Sequence, residues 1–138
     1  MKELFCTVTG IVGSLVASVF GGWSTGLTFL LVFMAIDYFS GLVVAGVFKN
    51  SPKTDTGALE SRAGLKGLCR KGMMLAIVIV GYGLDVIIGA NYVHDAVIIG
   101  LCVNETISIV ENAGLMGLPI PNAIKNAIDV LVKKSKGE

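Results

Sequence analysis

The stretch L-T-F-L-L-V-F-M-A-I-D-Y-F-S-G-L-V-V-A-G-V-F, residues Leu27–Phe48, decides how the rest of the chain is read. About 20 consecutive apolar residues suffice for a helix to cross the roughly 30 Å hydrocarbon core of a bilayer, and this run has the length and the greasiness. Its single acidic side chain, Asp37, lies near the middle, with Gly41 and Ala45 below it on the same face. An unpaired carboxylate there costs about 2.5 to 3.5 kcal/mol on insertion scales, so Asp37 is expected to be protonated, paired or facing water.

The composition agrees with a membrane setting. Of 138 residues, 54% are hydrophobic and only 15% charged, against about 25% charged in an average soluble domain, and the mean hydropathy is +0.79. A single membrane domain over residues 1–138 fits this length, with no room for a soluble catalytic domain beside several spans. The net charge of +1 gives no bulk attraction to nucleic acid. Cys6, Cys69 and Cys102 form no C-x-x-C pair and read as small hydrophobes rather than as a disulfide framework or zinc site.

Outward from the central run, further spans are expected at about 4–22, 73–90 and 96–116 beside 27–48. The first is diluted by Thr7, Thr9, Ser14 and Ser18, so two readings fit: four membrane helices, or three spans plus an N-terminal interfacial helix. Small residues recur every four positions there, at Gly10, Ser14, Ser18 and Gly22, and again at Gly41, Gly81 and Gly89 in later runs. Such rows let helix backbones approach closely in lipid and mark expected packing faces. A loop over 49–72 carries six of the eleven basic residues, and its second half is amphipathic, with Arg62, Lys66 and Arg70 on one side. Beyond Pro119 and Pro121 a tail, 119–138, forms an amphipathic helix ending in Lys133, Lys134 and Lys136. Arg62, Lys66, Arg70, Lys71 and the three tail lysines are therefore expected at the membrane surface, against anionic headgroups. Because the turns around Trp23 and Asn91 contain no basic residue, the positive-inside pattern puts the central loop and the C-terminus in the cytoplasm.

The last span bears a polar stripe. At 100° per residue, Asn104, Glu105, Ser108, Glu111 and Asn112 fall within an arc of about 120°. With Asp37 and Asp85 they place four acids in or near spans, for which no intramembrane base is expected as partner; ionised and unpaired they would cost on the order of 10 to 14 kcal/mol. The stripe is thus expected to line a pore or an oligomer contact, with a buried polar network as the alternative, and the two aspartates to bind helices together by hydrogen bonds. His94, in a polar turn, reads as solvated. No phosphate-binding glycine loop, metal-ligand spacing or catalytic triad occurs, so no cofactor, metal or enzymatic activity is expected.

D-Y-F-S-G at Asp37–Gly41, S-R-A-G-L-K-G-L-C-R-K at Ser61–Lys71, and N-E-T-I-S-I-V-E-N with the following G-L-P-I-P resemble, in order and over nearly the whole chain, the phage holin family that includes clostridial toxin-secretion holins. The resemblance implies a phage or prophage protein that accumulates in the bacterial cytoplasmic membrane. It further implies that copies of the chain assemble into lesions through which an endolysin or a large toxin leaves the cell, as cargo rather than as a bound partner. A small ion-coupled or proton-coupled channel or transporter is the competing reading of the same acids.

Overall fold

The structure, a computed structural model, describes residues 1–137; Glu138, the last residue of the tail, lies outside the described residues. Five helices follow one another: α1 (Lys2–Val19), α2 (Thr25–Gly46), α3 (Ser61–Ile88), α4 (Val93–Leu115) and α5 (Asn122–Ser135). The first four are long and apolar enough to cross a membrane, and among the described residues there is no strand.

Local chemistry sets the helix ends. Ser24 has extended backbone and its hydroxyl accepts from the Leu27 amide at 3.1 Å, starting α2 as an N-cap. At the far end of α3, Gly89 adopts φ 68°, and the Ala90 amide reaches back to the Asp85 carbonyl at 2.9 Å. That is a left-handed glycine stop. Gly117 at φ 85° closes α4 in the same way, before Pro119 and Pro121 prevent the helix from resuming.

The amphipathic segment expected in the central loop and the span expected from residue 73 prove to be one continuous helix, the 28-residue α3. Nothing between Ser61 and Met73 breaks a helix, since the prolines and turn formers of the loop end before it. The polar loop proper therefore shrinks to residues 47–60.

Helix α4 sits at the centre, packed against α2, α3 and α5, with a lighter contact between α2 and α3. The apolar core joins Leu27, Leu30 and Met34 of α2 to Val78 of α3 and Ile98 of α4. Gly81 permits the α3–α4 approach, because a Cβ there would stand 3.2 Å from Val97 Cγ2. The Tyr38 ring lies over Gly64 and Gly67 in the same manner. Asp37, Asp85, Glu105 and Asn112 are buried while Phe39, Val86 and Ile87 are exposed. A bundle with polar groups inside and large apolar side chains outside inverts the soluble pattern, as lipid surroundings require.

Helix α1 differs from the rest: none of its residues is buried. Only the turn after it is held, by Gly21 (φ 83°), where an added Cβ would come within 2.6 Å of the Tyr82 ring.

Candidate functional site: a buried lysine between two carboxylates

Asp37, Lys71 and Glu105 come from three different helices and meet at one point. Lys71 Nζ lies 2.7 Å from Asp37 Oδ2 and 2.6 Å from Glu105 Oε2. All three are largely withdrawn from the surface, Glu105 most of all at 1% exposure. Each lies roughly 15 Å, at about 1.5 Å per residue, from the loop-side end of its helix.

Neighbours complete the coordination of Asp37 but not of Glu105. Ser108 Oγ donates to Asp37 Oδ1 at 2.5 Å, and Asn112 Nδ2 reaches the same oxygen at 3.1 Å. Asn112 Nδ2 also lies 3.2 Å from the Asp37 carbonyl oxygen and 2.8 Å from Ser40 Oγ. Glu105 receives the lysine on Oε2, and among the described residues no donor reaches its other oxygen. A buried ion pair is held by such added hydrogen bonds as much as by Coulomb attraction.

The expectation that no base lies among the intramembrane acids is therefore corrected by Lys71. Expected at the surface with Arg62, Lys66 and Arg70, it sits inside the bundle. The signal was in the helix register. Once α3 is continued back to Ser61, Lys71 falls about 140° from the centre of the Arg62–Lys66–Arg70 row and within about 60° of Met74, Val78 and Asp85. Lys71 lowers the cost reckoned for unpaired acids at Asp37 and Glu105.

Asp85 is satisfied by other means. Its two carboxylate oxygens accept from the backbone amides of Val93 and His94, at 3.0 and 2.9 Å. These amides open α4 and have no partner within that helix. Asp85 is thus an N-cap supplied by the preceding helix, in favourable alignment with the α4 dipole. His94 is corrected too: its side chain is only 13% exposed, its ring stands edge-on to Tyr82 at 5.9 Å, and its Nε2 is buried without a partner among the described residues.

The polar stripe of α4 divides. Glu105, Ser108 and Asn112 turn inward to Asp37 and Lys71, whereas Asn104 and Glu111 are exposed. Of the expected packing residues, Gly41 approaches Asn112 and Gly81 approaches Val97. Gly10 and Gly22 meet nothing within 4 Å, and Ser14 and Ser18 lie on the unburied α1. Gly89 is a helix stop rather than a contact. Arg62, Lys66, Arg70, Lys133, Lys134 and Lys136 stay outside the buried cluster, the last three at the end of α5.

A cavity of about 590 Å³ joins the cluster to the loop end of the bundle. Its lining includes buried Asp37 and Glu105 at one extreme and exposed Lys53 and Glu60 at the other, so it runs from the surface to mid-helix depth.

An all-helical chain with four membrane-long helices, an apolar exterior and a charge-paired interior is a small multi-pass membrane protein. The family model described as the bacteriophage holin family matches residues 14–133, and the chain belongs to that family. An uncharacterized protein of Halalkalibacterium halodurans is 36% identical over 95% of this chain and 96% of its own length. A protein of Bacillus phage phi105 named as a probable holin is 32% identical, covering 76% of this chain and 73% of its own. An uncharacterized protein of Clostridium perfringens is 32% identical over 96% of this chain and 95% of its own. No solved structure matches the chain.

Proposed function

We propose that this chain is a holin: a non-enzymatic protein that gathers in the bacterial cytoplasmic membrane and opens lesions through which an endolysin or a large toxin escapes. The observation that carries this reading is family membership over residues 14–133, joined to similarity with a phage protein named as a probable holin. The basic loop and tail support an orientation with both in the cytoplasm.

The geometry gives the reading a mechanism. In a single subunit, the stripe residues Glu105, Ser108 and Asn112 are held inward by Asp37 and Lys71, so the subunit exposes only the Asn104 and Glu111 edge of the stripe. The unburied α1, with its row Gly10, Ser14 and Ser18, offers a face for a second copy. Assembly that opens the α2–α3–α4 bundle turns the stripe, with Asn104 and Glu111 already outside, toward water. Breaking the Lys71 pairs opposes that step until enough subunits share a wet surface, which makes opening depend on concentration. The basic residues of α3 and α5 hold the assembly to the inner leaflet.

Inducible expression in a bacterium, with and without a cytoplasmic endolysin, tests the reading. Expected are loss of membrane potential in both strains and rapid lysis only with endolysin. Full viability at high accumulation in the membrane removes it. Vesicle leakage with solutes of graded size separates a lesion, which passes folded protein, from an ion-coupled channel, which passes only small solutes.

A further inference from the structure

The charges in the buried cluster do not cancel. Asp37 and Glu105 bring two negative charges and Lys71 one positive, leaving one excess negative charge at about the middle of a span if all three are ionised. Charge in that position is costly unless it is paired or hydrated. The two carboxylates are also unequal, since Asp37 has Lys71, Ser108 and Asn112 as donors while Glu105 has Lys71 alone. Glu105 is 1% exposed, lacks a donor at Oε1 among the described residues, and lines the cavity that opens at the loop end.

We propose that Glu105 is a proton-binding group served through this cavity, so that the cluster holds one exchangeable proton alongside the lysine. A proton needs a single free carboxylate oxygen, which Glu105 offers. A hard metal cation takes about six or more oxygen ligands, and no group of three or more His, Cys, Asp or Glu placed to hold a metal occurs among the described residues. Other titratable groups face the same space: Asp37 and Tyr38 from α2, Lys66, Arg70 and Lys71 from α3, Glu111 from α4, and Lys53 and Glu60 from the loop. Of these only Asp37 and Lys71 join the buried cluster through hydrogen bonds; charges at the exposed mouth are screened by water and salt. With the proton in place the cluster is neutral and suits a lipid-embedded bundle. Without it, the residual charge favours water between α3 and α4. In the proposed orientation the proton comes from the cytoplasm. The inference concerns one subunit and does not depend on lesion formation.

Infrared difference spectroscopy on the full chain in lipid nanodiscs tests it. At pH about 7, exposed carboxyls, with ordinary values near 4, are ionised, so a protonated-carboxyl band is expected from Glu105 alone. It should shift on transfer to D2O, disappear in Glu105→Gln, persist in Glu111→Gln, and weaken in Asp37→Asn, which leaves Lys71 a single carboxylate to balance. Absence of the band, its survival in Glu105→Gln, or its loss when sodium replaces choline at fixed pH overturns the proposal, the last in favour of a metal cation. If Glu105→Gln does not insert, wild-type protein with carboxyl-13C glutamate decides: the band must move with that label and stay put with labelled aspartate. A chain that fails to lyse cells but shows the band retains the proton site and loses the holin reading, and the converse result separates them equally.

Discussion

The two ends of the three-helix bundle solve one problem in opposite ways. At the turn end, Asp85 is satisfied by hydrogen bonds from the fixed backbone amides of Val93 and His94, the next residues to form a helix. Toward the loop end, Asp37 and Glu105 share one flexible cationic side chain, Lys71, carried on another helix. An amide cap cannot leave without unwinding α4, whereas a lysine on a four-carbon stem can swing away while every helix stays intact. In the proposed mechanism the turn end serves as a hinge pin and the cluster as a latch. The apolar core of Leu27, Leu30, Val78 and Ile98 adjoins Asp85's half of the bundle, and the 590 Å³ cavity adjoins the latch.

The largest break in this comparison comes from Lys71→Met. It leaves Asp37 and Glu105 buried without their cation, and loss of one partner from a buried ion pair costs about 3 to 5 kcal/mol. Unfolding of the purified protein in detergent should shift by that amount, with less protein accumulating in membranes. A change below about 1 kcal/mol, the range of exposed pairs, would show that the cluster is solvated and the latch absent.

Why the sequence disclosed one end better than the other follows from the physics of each. The spans were legible because a lipid-facing helix must be apolar along its length, and Leu27–Phe48 announces that without any tertiary information. The stripe on α4 was legible from the 3.6-residue period, but not its partner, because facing residues come from helices distant in the chain. Lys71 was hidden by its company: it follows Arg70 at the edge of a basic segment, where hydropathy ends the span before Met73. Only the register of an unbroken α3 separates it from Lys66 and Arg70. Gly89 misled in the other direction, since four-residue spacing suits a packing row and a helix stop alike, and the φ of 68° decides for the stop.

Asp85→Ala probes the fixed end and should have a smaller effect. Removing an N-cap acceptor costs about 0.5 to 2 kcal/mol, and the loss should be local. Amide hydrogen exchange should quicken at Val93 and His94, the two donors that lose their acceptor, while Lys71 keeps its carboxylates. Exchange that quickens equally throughout α4 would mean that the two ends are not independent.

The smallest change in stability is expected where the whole latch is replaced. Asp37→Leu, Lys71→Met and Glu105→Leu together substitute apolar packing for three charges of similar volume, and such replacements are commonly neutral or stabilising because the desolvation of the ions is removed with them. Stability within about 1 kcal/mol of the original protein is therefore expected, against the large loss from Lys71→Met alone. The difference between the single and triple variants isolates coupling from mere burial. If the latch exists only to hold the bundle together, the triple variant keeps its lytic activity in the endolysin assay. If the charged cluster must reach water when subunits assemble, the triple variant inserts and accumulates normally yet fails to lyse, because Glu111 is then the one charge left on the stripe.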